Sequence, residues 1–106
     1  MVDAIAEKQG ENVLLMDIRA LSAIADYFII CTGKSDRQLK AIGEGIGERT
    51  KRHLGVSPRR VEGDASSGWV LIDYDDIIVH AFTPHTRAFY SLETLWKEAP
   101  VVLRML

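Results

Sequence analysis

The stretch Asp26-Tyr27-Phe28-Ile29-Ile30-Cys31-Thr32-Gly33-Lys34-Ser35-Asp36-Arg37-Gln38 decides the fold. From Tyr27 to Cys31 it is aromatic, β-branched and apolar without polar alternation, the pattern of a strand covered on both faces. Gly33 ends that strand. Ser35 and Gln38 then stand three apart, the S-x-x-Q capping box in which each side chain satisfies a free backbone N–H at a helix start. A buried strand running directly into a capped helix is a building unit of α/β domains.

Downstream, Leu39, Ile42, Ile46 and Leu54 lie near one face of the helix, Lys40, Glu44, Glu48 and Lys51 can face water, and Gly55 supplies a stop. Gly43, Gly45 and Gly47 each cost roughly 1 kcal/mol relative to Ala inside a helix, so they need a reason. Gly43 and Gly47 share a face, which would let a sheet approach closely; simple tolerance in a well-packed domain accounts for them equally well. Upstream, Val2 to Gln9 can form a short helix closed by Gly10, and Val13 to Ile18 reads as another buried strand.

Beyond the helix, Pro58 to Glu62 suits a short edge strand, followed by the polar loop Gly63 to Gly68. Trp69 to Tyr74 and Ile77 to Phe82 form a hairpin around Asp75-Asp76, because Asp tolerates the positive φ of a two-residue turn. Thr83 caps a final helix with Pro84 at its first position, and Ala88, Phe89, Leu92, Leu95 and Trp96 form its apolar stripe. Pro100 stops it, leaving the apolar tail Val101 to Leu106 to pack or to mediate self-association. The predicted order is α-β-β-α-β-β-β-α, one α/β domain over residues 1–106.

Composition narrows the function. A chain of 106 residues with 47% hydrophobic content can build one core without metal or disulfide staples. The net charge of −2 argues against gripping nucleic acid through its phosphates, which needs a concentrated excess of Lys and Arg. A basic protein is the better partner. Cys31 is the sole cysteine, so no intramolecular disulfide forms and a reducing cytoplasm fits. No apolar run approaches the ~20 residues of a membrane helix, and the N-terminus lacks a signal-peptide pattern; no membrane role is expected.

Two constellations resemble catalytic sites. Gly33-Lys34-Ser35 at a strand-to-helix junction, together with Asp73-Tyr74-Asp75, suggests the Gly-Ser turn and D-x-D metal pair of a nucleotidyltransferase. However, roughly forty residues separate the two parts, and Asp75 falls in the turn. His80, His85, Asp73 and Asp76 match no metal-ligand spacing, and a lone strand histidine is more often a hydrogen-bonded structural residue. Cys31 has no base beside it. No catalytic residue, cofactor or metal is therefore expected.

What remains is a recognition surface. Strand alternation sends Trp69, Leu71 and Asp73 to one side and Val70, Ile72 and Tyr74 to the other. Trp69 shares its side with Asp73, whose charge is expensive to bury unpaired, so that side is expected to be open and Trp69→Ala to spare stability. The alternative, with Trp69 in the core and the aspartates as a solvated turn, stays open on pattern alone. The candidate partner-binding residues are Trp69, Leu71, Asp73, Tyr74, Asp75 and Asp76: an aromatic anchor beside carboxylates, suited to a basic protein.

Several segments resemble the ribosomal silencing factor, or Iojap-like, family. They are Ala25 to Ile30 running into Thr32 to Gln38, then Val61-Glu62-Gly63, Ser67 to Tyr74, Val79 to Phe82, and Arg87, Tyr90, Leu92-Glu93 and Leu95-Trp96. They span most of the chain in order. The family commonly has Gly where this chain has Asp75, and the tail after Pro100 lies outside the shared pattern. The resemblance implies a mixed sheet of about five strands flanked by helices, a nucleotidyltransferase-like scaffold without its catalysis. It also implies binding to the large ribosomal subunit through its L-fourteen family protein, with little direct rRNA contact, blocking association with the small subunit. A homodimer of the free protein fits both the resemblance and the apolar tail.

Overall fold

The computed structural model describes residues 1–106. Its elements are α1 (Val2–Glu7), β1 (Glu11–Asp17), β2 (Tyr27–Thr32), α2 (Asp36–Leu54), β3 (Arg60–Glu62), β4 (Trp69–Asp73), β5 (Ile77–Phe82), α3 (Pro84–Tyr90), α4 (Leu92–Leu95) and β6 (Val101–Met105). One mixed sheet runs in the order β3-β4-β5-β2-β1-β6. The central β2–β5 pair is parallel and every other pair antiparallel.

The continuous apolar run of β2 has its reason here, since both faces are covered. Ile29 and Cys31 point to one side with Val13, Val79 and Ala81, beneath Leu39, Ile42 and Ile46 of α2 and Ala4 and Ile5 of α1. Phe28 and Ile30 point to the other with Leu14, Met16, Ile78 and Phe82, beneath the chain that carries Leu92, Trp96 and Ala99. The cap forms where the spacing predicts, with Ser35 Oγ accepting from Gln38 N at 3.2 Å, but the return bond is displaced by one residue: Gln38 Oε1 accepts from Lys34 N at 2.6 Å rather than from Ser35 N. Gly55, at φ 66°, closes α2.

Four expectations need correction. The sheet has six strands, not about five, because the apolar tail pairs with β1 as β6. Its side chains stay largely exposed, so it joins the fold through backbone pairing at an edge. The single final helix is instead two short ones, broken at Ser91 with φ 48°. The break lets Arg87 Nε reach Glu93 Oε2 at 3.1 Å and Arg87 Nη1 reach the Asn12 carbonyl and Thr32 Oγ1, at 2.6 and 2.7 Å. Phe89 and Leu95, placed on an apolar stripe, are each 73% exposed. Leu54 lies past the end of the packed face of α2 and is also exposed.

Gly43 and Gly47 do not serve close packing. A Cβ at Gly43 would meet only Ile72 Cδ1, at 3.9 Å, and one at Gly47 would meet nothing within 4 Å. Their helix cost of about 1 kcal/mol each has no return in contact with the sheet.

Two buried polar groups generate predictions. The Tyr74 hydroxyl lies 2.8 Å from Thr50 Oγ1, which in turn donates to the Ile46 carbonyl at 3.0 Å. Tyr74→Phe is expected to lose one buried hydrogen bond, about 1 kcal/mol, lowering Tm by roughly 4–8 °C in a thermal melt. His80 is buried beside Phe28, with ring centroids 4.9 Å apart, and its Nδ1 accepts from Trp69 Nε1 at 3.3 Å. Burial pushes its pKa down to about 4. The unfolded chain therefore binds the extra proton first, so stability present above pH ~6.5 falls as pH drops toward 4. Melts from pH 7 to 4 should show a shallower loss for His80→Gln than for the wild type; parallel curves would contradict the assignment.

Candidate functional site

The face of β4 turned away from α2 is only partly roofed, because α3 and α4 are short. Trp69 and Leu71 emerge there half-buried, between Phe82 of β5 and Tyr90 at the end of α3. The Trp69 ring stacks on Phe82 with centroids 5.2 Å apart and tilts against Tyr90 at 4.5 Å. A shallow hollow of about 250 Å³ lies beside it, lined by Glu62, Gly63, Ser67, Trp69, Leu71 and Tyr90. Trp69, Leu71 and Tyr90 thus form an aromatic-apolar surface, with Glu62, ion-paired to Arg60 Nη1 at 3.2 Å, at its rim.

The segment before Trp69 is stapled down. Asp64 Oδ1 accepts from Ser66 Oγ and from Ser67 N, the latter at 3.1 Å, and these bonds, that of Ser66 foremost, hold its carboxyl below the usual range. Gly68 takes φ 81° against α3, where a Cβ would meet Thr86 Cγ2 at 2.7 Å. Its carbonyl accepts from Thr83 N at 3.0 Å and from Thr86 Oγ1. Trp69 is therefore presented from a fixed backbone, which lowers the entropy lost on binding.

The six residues named from sequence do not form one cluster. Trp69 and Leu71 share the open face, whereas Tyr74 lies on the opposite side, buried at 7% exposure and bonded to Thr50 of α2. Asp73 shares the side of Trp69, yet it is not an exposed carboxylate. It is 5% exposed, with Oδ1 accepting from Asp75 N at 2.7 Å and Oδ2 from Arg60 Nε at 3.3 Å. Pairing resolves the burial cost that made an open face necessary. Trp69 consequently packs against the second core cluster as well as facing outward, so its truncation must cost some stability. Asp75 and Asp76 are exposed in the turn, Asp75 at φ 79° and paired with Arg59 Nη1 at 3.0 Å. They lie at the far end of β4 from Trp69, four or more steps of ~3.3 Å away. Tyr90 and Glu62 were not singled out as site residues. Glu62 could have been found by pairing the edge strand against Leu71, whereas Tyr90 depends on the helix break at Ser91.

The same register separates the two halves of the nucleotidyltransferase pattern. Gly33 follows the C-terminal end of β2, while Asp73 aligns with Ile78, next to the start of that strand. The two parts are about five strand residues apart, roughly 16 Å. The anion-binding amide of Lys34 is also spent on Gln38, and its ammonium pairs with Glu11 at 3.0 Å. No three His, Cys, Asp or Glu side chains converge as a metal site. Burial pushes the Cys31 thiol up to about 12, far from a reactive thiolate. No helix is long and apolar enough to cross a membrane.

Comparison with known proteins agrees with this architecture. The family described as "RsfS: Ribosomal silencing factor during starvation" matches residues 1–105. A "Ribosomal silencing factor RsfS" of Halalkalibacterium halodurans is 40% identical over 95% of this chain and 86% of its own length. A crystal structure of a Chromobacterium violaceum protein, 32% identical, superposes with a TM-score of 0.86 over 91% of this chain and 79% of its own. More distantly, "Mitochondrial assembly of ribosomal large subunit protein 1" of Mus musculus is 26% identical over 91% of this chain, which spans 43% of that protein. The chain belongs to the ribosomal silencing factor family.

Proposed function

We propose that this protein is a translational repressor that acts by binding, not catalysis. It docks on the large ribosomal subunit through the L-fourteen family protein and blocks the small subunit from joining. The observation that carries this reading is the Trp69-Leu71-Tyr90 surface, an aromatic patch held on a rigid backbone and rimmed by Glu62. The names of the relatives support the ribosome as target, and that of the mouse relative refers to the large subunit.

The mechanism follows from size and charge. The molecule measures 32 × 31 × 23 Å, so even its thinnest dimension exceeds the contact separation of two joined surfaces. Occupancy alone is enough. A net charge of −2 disfavours rRNA phosphates and favours a basic protein patch among them, leaving little direct rRNA contact. Such a protein works in the cytoplasm, where its target is. When free, it can pair with a second copy through the β6 edge, which offers unpaired backbone beside exposed Val101, Val102 and Leu103.

Trp69→Ala is expected to weaken large-subunit binding by ~2 kcal/mol or more, about thirtyfold, in a pelleting assay. Because the ring is half-buried, melting should fall as well, by ~2 kcal/mol of stability, less than the ~3–5 kcal/mol of a fully packed aromatic. Tyr74→Phe should leave binding unchanged, since Tyr74 faces α2. A Trp69→Ala protein that pellets with large subunits as the wild type does would remove this surface from the interface.

The turn carboxylates give a separate test. Asp75→Asn with Asp76→Asn, which keeps at position 75 a side chain that tolerates φ 79°, should keep the fold and the melting temperature while slowing association at low salt. Asp73→Ala should instead lose stability, because Asp75 N and Arg60 lose their acceptor. Stopped-flow binding across a salt series, alongside melts, separates the two; equal on-rates at every salt concentration would exclude the turn from the interface.

A further inference from the structure

On the opposite face of β4 from Trp69, a groove of about 570 Å³ runs between α2 and the β3 end of the sheet. Its size falls within the roughly 300–1,000 Å³ of small-molecule sites. Leu39, Val70 and Ile72 form an apolar floor, and Val61, 57% exposed, forms the far wall. Gly43 and Gly47 open it from the helix side: a Cβ at Gly47 would meet nothing within 4 Å, and one at Gly43 only Ile72 Cδ1, at 3.9 Å. Alanine or leucine at either position would improve the helix and narrow the groove. The chain instead carries, one turn apart, the two residues that keep the groove open.

The rim supplies the polarity. Asp64 is held in place by Ser66 Oγ and Ser67 N through Oδ1, which leaves Oδ2 without a hydrogen bond. Glu44, on α2, makes no ion pair, and neither does Lys40, the single opposing charge on this rim. Two carboxylates against one ammonium favour a cation. We propose that this groove binds a small molecule with an apolar body and a positively charged head, the body over Ile72 and the two glycines and the head at the Glu44 and Asp64 carboxylates. The site uses the other side of β4 from the ribosome-facing surface and is independent of that reading.

Three probes sharing one body test it: 1-naphthylmethylamine, 1-naphthylmethanol and 1-naphthylacetate, titrated into the ¹⁵N-labelled protein and followed by amide shifts. The amine should shift Gly43, Gly47, Val61 and Asp64 saturably, and bind at least tenfold more tightly than the acetate. Gly47→Leu should melt higher than the wild type and lose the amine, because the leucine occupies the space the naphthyl ring needs. Asp64→Asn, which keeps the cap to Ser67, should bring amine and alcohol closer in affinity. Shifts confined to other regions, equal binding of amine and acetate, or unchanged binding by Gly47→Leu would each overturn the proposal. So would groove shifts that appear on concentrating the protein without probe, since a second copy would then be the occupant.

Discussion

The parallel pairing of β2 with β5 is the constraint on which the rest depends. Tyr27 to Thr32 align with Ile77 to Phe82 in the middle of the sheet, and both strands are buried on both faces. Parallel neighbours require a crossover, here α2 followed by β3 and β4. Because a doubly buried pair needs cover above and below, α1 and α2 occupy one side and the α3–α4 segment the other. Arg87 ties that second cover down, bonding the Asn12 carbonyl of β1, Thr32 of β2 and Glu93 of α4 from a nearly buried position.

Unequal cover of the two sheet faces leaves the surface proposed above as the interface. The nineteen-residue α2 seals its side over β2 and β5, whereas α3 and α4 have seven and four residues and reach β4 only at its Trp69 end, through Tyr90. β4 is therefore finished on neither face: Trp69 and Leu71 remain half-open on one, and the glycines of α2 leave a groove over Val70 and Ile72 on the other. An aromatic patch on a stapled strand meets the requirements of a protein contact, since little order has to be purchased at the moment of binding.

Where one local rule governed, the sequence was a sound guide. Ser35 and Gln38 marked the helix start because the capping box is satisfied entirely by neighbours, and the apolar runs of β1, β2 and β5 marked a doubly covered sheet. The failures were non-local. Nothing in Val101 to Leu106 says that its partner is β1, ninety residues earlier, and Ser91 breaks the last helix through contacts that Arg87 makes with distant strands. Asp73 was read as exposed because its charge lacked a visible partner; Arg60 and the Asp75 amide, supplied by β3 and by a positive-φ turn, changed the sign of that argument. The pairing also undid the inference that Trp69 must be wholly outside.

The proposed silencing by obstruction makes one demand above all: the protein would have to reach the joining surface before the small subunit does. The direct measurement is light scattering of purified ribosomal subunits mixed in a fast-flow cell, with the protein added to the large subunit first. The account predicts that the yield of joined ribosomes falls in proportion to occupancy of the large subunit, and that Trp69→Ala restores joining at the same concentration. Full joining at saturating wild-type protein, or equal inhibition after loading the small subunit alone, would contradict it.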